Sequence, residues 1–516
     1  MNSAAPALSQ HYLRTRMGKV CVAILGSTVA EMVDRATAAI VDCPFLEFRL
    51  DYLDKPLAAL PRLKEFLADN SVVTAIATCR REANGGHFKG TIAAELEVLQ
   101  KATASGFHLL DLELQTAEAI EASELEKLRS GGAALMVSYH DFQTTKDLDG
   151  IFERIRPYEP EFVKIVSTAR SLSDNVVMMQ FLARSGDHAN MVGLCMGDQG
   201  VVSRVLAVRA GSAFTFAAAV EGEETAPGQV TARILTDTYR IAQIDTATRI
   251  YGVVGNPIKH SLSPLMLNTA FHRETVNAVY LALQTSKLTD LLTVVRELPL
   301  SGLSVTMPLK QEVLKHLENM DPVSAQVGAC NTIVRNHDGK LYGFNTDVGG
   351  IVRPLEKRLN LAGAKILVLG AGGAARAAVF GLVDKGAEVV ILNRTPQTAQ
   401  KLAREAKAKT IRREQVAKSS FDVIVNATAV GMHGMKAQHI LEPKEINARL
   451  VFDLVYNPVE TPLLHMARQK GIPVVTGVEM FVQQGARQFE IWTGKRAPEE
   501  EMLRVVVHAL RQQAGQ

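Results

Sequence analysis

One pattern recurs eight times in the first 240 residues: an apolar run of strand length, then an amphipathic stretch of helix length. The runs fall at 19–25, 45–53, 72–80, 107–114, 134–142, 162–168, 191–196 and 213–220, with helical stretches such as 92–105 and 173–185 between them. Eight such repeats in about 230 residues predict a (β/α)8 TIM barrel, whose parallel strands are buried on both faces. Chemistry in these barrels gathers at the C-terminal ends of the strands. Glu47, Arg80, His140 and Lys164 are expected in or near the C-terminal parts of their runs.

A helix at 230–244 is expected to close the barrel, and a new pattern starts at Arg249 with no Gly/Ser-rich or Pro-rich linker. Residues 250–346 read as a small α/β unit, and 365–475 as a Rossmann unit with strands at 365–369 and 388–392 around a glycine turn and a helix. Helices at 478–493 and from 498 end the chain. The expected domains are therefore 17–244 for the barrel and 249–516 for a second α/β region. Within that region, 249–346 and the C-terminal helices form one domain and 347–477 the Rossmann domain.

A chain of 516 residues is too long for a single core. Its 57 Lys+Arg against 54 Asp+Glu leave a net charge of +3 with no basic stripe, so small molecules rather than nucleic acid are the expected partners. Five scattered cysteines (Cys21, Cys43, Cys79, Cys195, Cys330) without a Cys-x-x-Cys pair point to a reducing compartment and to no structural metal. No apolar run reaches the roughly 20 residues of a membrane span. The first sixteen residues carry Arg14 and Arg16, no acid and no secretory apolar stretch. A cytoplasmic protein is expected, a plastid transit remnant being the alternative, and a monomer or homodimer.

An unprotonated lysine can form an imine whose protonated form draws electrons from the neighbouring carbon, and Lys164 is a candidate for that role. His140 could then move the proton, and Arg204 offers a planar fork for a carboxylate. Taken alone, these residues also fit a snorkelling strand lysine and a satisfied structural histidine. In the second half, Gly370-Ala371-Gly372-Gly373-Ala374 follows a strand and opens a helix, as a pyrophosphate loop does and as a simple tight turn can. Asn393-Arg394-Thr395 stands where an NAD site usually has an acid; an arginine there attracts a 2′-phosphate, which favours NADP(H). Lys310 with Asp347 could supply a proton to a developing alkoxide, or could be a salt bridge. Ser261, Ser263, Thr306, Asn331 and Thr346 are polar residues set among apolar runs, as in a pocket for a polyhydroxylated acid.

Glu47-Phe-Arg49-Leu-Asp51, Thr78-Cys-Arg80, Gly85-Gly86, Ser138-Tyr-His140-Asp-Phe, Lys164, Ser203-Arg204 and Ala226-Pro-Gly-Gln229 occur in that order. Together they resemble type I 3-dehydroquinate dehydratase across the whole first domain. The resemblance implies Lys164 as the Schiff-base lysine, His140 as general acid/base and Arg204 as the carboxylate anchor. It also implies Glu47, Arg49 and Arg80 as hydroxyl contacts, with a lid from Thr225 to Gln229. Many members carry glutamate just before the Gly-Gly pair, where this chain has Asn84, and an amide cannot orient His140 by charge.

Gly255-Asn-Pro-Ile-Lys-His-Ser261-Leu-Ser263-Pro, Val-Thr306-Met-Pro-Leu-Lys310, Gly-Ala-Cys-Asn331-Thr, Gly-Phe-Asn-Thr-Asp347, the glycine turn and Asn393-Arg394-Thr395 resemble shikimate dehydrogenase from about Arg249 onward. That resemblance implies Lys310 and Asp347 as the catalytic pair. Ser261 and Ser263 would bind the substrate carboxylate, and Thr306, Asn331, Tyr456 and Gln484 are further substrate contacts. Asn426, Thr428 and Gly477 would lie on the nicotinamide side. The stretch Gly431-Met-His-Gly-Met435 reads as a mobile loop or as passive surface. The domain order is similar to that of the bifunctional dehydratase–shikimate dehydrogenases known from plants, so consecutive dehydration and reduction are expected. Quinate dehydrogenase chemistry is the alternative, and a non-catalytic metabolite sensor is a further one.

Overall fold

The computed structural model describes residues 13, 15–185, 190–259, 261–433 and 439–514. Arg14 and most of the remaining N-terminal stretch, and Met435 of the Met-rich loop, lie outside the described residues. The chain divides into two compact units, Met1–Thr248 with Asp290–Leu298, and Arg249–Thr289 with Pro299–Gln516.

The first unit is built on eight strands: β1 Val20–Ile24, β2 Phe45–Arg49, β3 Thr74–Thr78, β4 Leu109–Glu113, β5 Ala134–His140, β6 Phe162–Thr168, β7 Asn190–Met196 and β8 Thr215–Ala218. They pair in parallel in the order β7-β6-β5-β4-β3-β2-β1-β8. At the remaining seam the Ala213 N–H, just before β8, donates to Met191 O in β7 at 2.7 Å, so the barrel is nearly closed. Each strand's apolar content follows from burial on two faces. Helices start on side-chain caps where the sequence supplies them: Thr28 accepts from Glu31 N–H and Thr91 from Ala94 N–H.

Side chains two apart on a strand share a face, and this layers the barrel interior. Phe45, Phe162 and Phe214 form an aromatic plug at the N-terminal end, with Phe45 and Phe214 centroids 4.8 Å apart. One layer up, on the same faces, stand Glu47, Asp111, Ser138 and Lys164, and above them Arg49, Glu113 and His140. Lys164 is the third of seven residues in β6, not in its C-terminal part as expected. The site therefore lies one layer deeper in the barrel. The expected closing helix 230–244 is also not continuous. A π turn Ile234–Thr238 gives way to a 3-10 turn Ile241–Gln243 because Arg240 between them has φ +50°, a left-handed backbone that ends the helix.

The second unit has two six-stranded sheets. The first contains β9 Arg249–Gly255, β10 Ala278–Gln284, β11 Leu300–Val305, β12 Asn319–Met320, β13 Thr332–Arg335 and β14 Leu341–Phe344, in the order β10-β9-β11-β13-β14-β12. The pairs β11/β13 and β13/β14 are antiparallel and the others parallel. Helices Ser263–Arg273, Gly477–Thr493 and Glu499–Ala514 pack with this sheet through Tyr251, Phe271, Phe489 and Trp492. The second sheet contains β15 Lys365–Leu369, β16 Glu388–Leu392, β17 Lys409–Thr410, β18 Phe421–Asn426, β19 Ala448–Asp453 and β20 Val474–Val475. Its order, β17-β16-β15-β18-β19-β20, is fully parallel and doubly wound, with the direction of progression reversing between β15 and β18. Ligands of such sheets bind at that crevice.

Candidate active sites

In the barrel, one cavity is lined by Glu47, Arg49, Arg80, His140, Lys164, Arg204, Thr225 and Gln229, all singled out from the sequence. Lys164 Nζ donates to Asp111 Oδ2 at 2.8 Å, lies 3.5 Å from Glu47 Oε1, and sits 4.0 Å above the Phe216 ring. His140 Nδ1 is 3.0 Å from Glu113 Oε2, and its backbone N–H donates to Glu113 Oε1 at 3.2 Å. Arg80 bridges the two acids, reaching Glu113 at 3.0 Å and Asp111 at 3.1 Å. Ser138 donates to Asp111 at 2.5 Å. Arg49 is paired bidentately with Asp51, at 2.9 and 2.7 Å.

These contacts set the charges. Burial would raise Asp111, but the Lys164 and Arg80 charges outweigh it and hold the carboxyl well below the usual carboxylate range. Burial and the Arg80 charge lower His140, outweighing Glu113, so the ring is neutral at pH 7. Arg204 differs from the other cations. It is 1% exposed, it has no carboxylate partner among the described residues, and its Nε is buried without a hydrogen-bond partner. Among the described residues its one hydrogen bond runs from Nη2 to Pro227 O at 3.4 Å. Burial pushes its pKa down to about 10, which leaves it charged at neutral pH. An uncompensated buried cation is costly, and an anionic ligand relieves that cost.

The stretch Thr225–Gln229 folds onto the strand ends. Gly197 N–H donates to Pro227 O at 2.8 Å, and Gln229 Oε1 accepts from Thr225 N–H and hydroxyl. Gly228 has φ +72°, and a Cβ there would stand 2.1 Å from Gly197 O, so only glycine allows this approach. Asp111 and Glu113 were missed by sequence reasoning. Their signal was legible: two acids spaced by two in the otherwise apolar Leu-Leu-Asp-Leu-Glu strand must share the inner face.

In the second unit, Lys310 Nζ is bonded to Asp347 Oδ2. Asn331 Nδ2 donates to Asp347 Oδ1 at 2.7 Å and to Thr346 Oγ1 at 3.0 Å, while Asn331 Oδ1 accepts from Thr332 and from Thr346 N–H. Both amide hydrogens of Asn331 are thus committed, and a substrate hydroxyl could engage them only by displacing one bond. Ser261 and Ser263 open helix Ser263–Arg273, with Ser263 N–H donating to Ser261 Oγ at 3.3 Å. The Tyr456 ring stacks on Phe481 at 4.2 Å, and burial raises its hydroxyl against hydrogen bonds to Leu262 and Ser261. Thr306 follows β11 and donates its N–H to Val254 O. Gln484 is half-buried and donates to Phe481 O on its own helix.

The glycine turn stands at the switch point. Gly370 has φ +112° with Ala427 O and Thr428 Cγ2 each 3.0 Å from where a Cβ would be, so a side chain there would jam the crevice. Ala371 and Gly372 lead into helix Gly373–Asp384, where Ala374 is second; nothing lies within 4 Å of a Cβ placed on Gly372. At Gly373 such a Cβ would meet Lys310 Cδ at 3.2 Å, which puts the helix start beside the lysine. Arg394, between Asn393 and Thr395 at the end of β16, is exposed and has no ion-pair partner among the described residues. Open backbone at a helix start with an unpaired guanidinium and no acid nearby in sequence fits a 2′-phosphorylated dinucleotide. Gly477 opens helix Gly477–Thr493 against Val455 O. Asn426 is wholly buried: its amide donates to Asp453 at 2.9 Å and Val430 O at 3.2 Å and accepts from Thr428, so it holds the 427–430 loop rather than facing the cleft.

A lysine–histidine constellation inside a barrel, together with a lysine–aspartate pair beside a dinucleotide crevice, describes an enzyme with two active sites, a lyase joined to an oxidoreductase. The family Type I 3-dehydroquinase matches residues 20–246. The shikimate dehydrogenase substrate binding domain matches 253–333, shikimate / quinate 5-dehydrogenase 354–463, and the shikimate 5′-dehydrogenase C-terminal domain 477–507. The chloroplastic bifunctional 3-dehydroquinate dehydratase/shikimate dehydrogenase of Arabidopsis thaliana is 33% identical over 522 residues, covering 97% of this chain and 86% of that one. This chain belongs to the bifunctional 3-dehydroquinate dehydratase/shikimate dehydrogenase family. A shikimate dehydrogenase (NADP(+)) of Pyrococcus furiosus is 40% identical over 52% of this chain and 99% of its own. A solved shikimate 5-dehydrogenase of Thermus thermophilus, in complex with NADP(H) and shikimate, is 36% identical, covers 51% of this chain and 100% of that one, and has a TM-score of 0.48.

Proposed function

We propose that the barrel dehydrates 3-dehydroquinate to 3-dehydroshikimate through an imine at Lys164, and that the second unit reduces that product to shikimate with NADPH. The observation that carries the reading is the placement of a buried amine, a neutral imidazole and an unpaired guanidinium around one cavity. The Lys164 amine adds to the C3 carbonyl and, with uptake of one proton that the final hydrolysis returns, water leaves to give a protonated imine. His140 takes the C2 proton, and the resulting enamine pair expels the C1 hydroxyl, which departs as water with the proton from His140. Water then adds to the imine carbon, restores the amine and releases the enone. The net change is loss of one water. Arg204 receives the substrate carboxylate, Glu47, Arg49 and Arg80 contact ring hydroxyls, and Gln229 closes over them with Thr225. The ionised Asp111 sits 2.8 Å from the nitrogen that becomes cationic.

In the second unit, Ser261 and Ser263 take the carboxylate at a helix start, with Tyr456 beside them. Lys310 donates a proton to the oxygen of the ketone as it is reduced, and Asp347 holds the ammonium in place. When bound, NADPH supplies the hydride. Gly370 to Ala374 hold the pyrophosphate; Asn393, Arg394 and Thr395 hold the 2′-phosphate end. Thr428 and Gly477 border the nicotinamide, with Asn426 fixing the loop. Thr306, Asn331 and Gln484 complete the substrate pocket. The expected partners beyond these small molecules are none or a second copy. We place the protein in the cytoplasm, a plastid being the alternative; among the described residues no helix is long and apolar enough to cross a membrane.

Borohydride reduction in the presence of 3-dehydroquinate tests the imine. A covalent mass increase on the Lys164 peptide is expected, and an unmodified peptide after full reduction would overturn it.

A further inference from the structure

Behind Lys310 and Asp347 runs a continuous line of hydrogen bonds, every one oriented toward the pair. The Tyr280 hydroxyl donates to Ser304 Oγ at 2.5 Å, and Ser304 donates to Gln488 Oε1 at 2.7 Å. Gln488 Nε2 donates to Thr332 Oγ1 at 3.0 Å and to the Asn331 carbonyl at 3.2 Å. Thr332 donates to Asn331 Oδ1 at 2.8 Å, and Asn331 Nδ2 donates to Asp347 Oδ1 at 2.7 Å. Tyr280, Ser304, Gln488, Thr332, Asn331 and Asp347 are all buried.

The direction of this line is set by Gln488. An amide side chain keeps its shape when its oxygen and nitrogen exchange places, so its hydrogen-bond partners decide which way it faces. Asn331 presents N–H to Asp347 because its oxygen receives the Thr332 hydroxyl and the Thr346 N–H. The Thr332 hydroxyl donates forward because the Gln488 N–H already occupies one of its lone pairs. Gln488 itself is 2% exposed and is fixed at its oxygen by Ser304, which receives from Tyr280. Reversal at any member would bury a donor against a donor, at a cost of about 1–3 kcal/mol. Gln484, the glutamine singled out from the sequence, lies one helical turn earlier and makes none of these bonds.

We propose that Gln488 is a positioning residue for the dehydrogenase reaction, holding Asp347, through Thr332 and Asn331, where it presents the Lys310 ammonium to the reacting oxygen. The inference rests on the reading of Lys310 as proton donor. The other titratable groups on the line are Tyr280, which burial raises, and Asp347.

The full-length chain carrying Gln488→Leu should lose about tenfold in kcat for shikimate oxidation, with shikimate KM changing less than about threefold. Asn331→Ala should occlude that loss: the double variant should be no slower than Asn331→Ala alone. Gln488→Glu supplies the conservative control. Its neutral carboxyl can accept from Ser304 and donate to Thr332, whereas the ionised form cannot donate. Its kcat should approach the parent value at low pH and fall with rising pH in a titration the parent lacks. Calorimetric binding of shikimate without cofactor by the two Gln488 variants, and an unchanged dehydratase rate and cooperative thermal unfolding in all, certify folded protein. Multiplying losses in the double variant, or a Gln488→Glu profile parallel to the parent's, would overturn the proposal. Retention of reduction by Lys310→Ala would instead sink the proton-donor assignment beneath it.

Discussion

Around Lys164 the barrel gathers three further cations (Arg49, Arg80, Arg204) and four acids (Glu47, Asp51, Asp111, Glu113), nearly all desolvated. Around Lys310 there is one ion pair, and the rest of the scaffold is amide and hydroxyl: Asn331, Thr332, Thr346, Ser304 and Gln488. The difference follows from what each nitrogen must do. In the proposed dehydration the Lys164 nitrogen becomes a cationic imine and returns to an amine while His140 takes and returns a proton. A fixed carboxylate 2.8 Å from that nitrogen offsets the cost of a buried cation there. In the proposed reduction Lys310 passes a single proton to or from the substrate oxygen, so precision of placement matters more than compensation. Neutral groups achieve this without the desolvation cost of additional buried ions.

Four variants break or sharpen this comparison. The largest effect is expected from Lys164→Ala, which removes the covalent route. Dehydratase kcat should drop about 10⁴-fold or more while NADP-dependent shikimate oxidation by the same preparation holds within about twofold. Loss of both activities in a folded protein would mean that the two sites are not independent. Next comes Glu113→Gln. Glu113 raises His140 against burial and Arg80, so its neutralisation should lower the histidine further. With the neutral ring as the proposed base, the dehydratase rate should fall as pH drops through the histidine pKa. The acid limb, already displaced to lower pH by burial and Arg80, should move lower still in the variant, with kcat down about 10²-fold. A limb that stays in place would assign it to another group.

Arg394→Ala tests the one cation of the second unit that has been assigned to a phosphate. Loss of a charge-assisted contact worth about 1.5–3 kcal/mol should raise the NADPH KM about ten- to a hundredfold and leave the NADH KM within about twofold. Equal effects on both cofactors would remove Arg394 from the 2′-phosphate end.

The barrel and the Rossmann unit were legible because hydrophobic period and glycine turns are local signals, carried by runs such as 162–168 and the turn 370–374. The lysines and His140 were legible through motif order. What escaped was relational. Asp111 and Glu113 matter through pairing to residues 25 to 53 positions away, and nothing local in β4 names those partners. Gln488 reads as an ordinary helical residue until β11 and β13 are placed against its helix. The closing helix failed at Arg240, whose left-handed backbone no residue preference announces.

The smallest effect, and the sharpest test of the comparison, is expected from Asn84→Glu. An amide at this position cannot itself act as a base or orient His140 by charge, so a different rate or pH profile is the expectation, with the lysine–histidine core unaffected. Glu113 already meets both the ring and the backbone N–H of His140, while the Asn84 oxygen is buried with no partner. If the barrel site is saturated with compensating charge, a further carboxylate has no orienting work left. Its kcat should then stay within about threefold of the parent, and its electrostatic effect should appear instead as an acid limb shifted upward, since a nearby anion favours the protonated ring. A tenfold gain in rate would show that Glu113 does not hold the imidazole well enough alone, and the charge-dense site would then be, like its neutral counterpart, limited by placement.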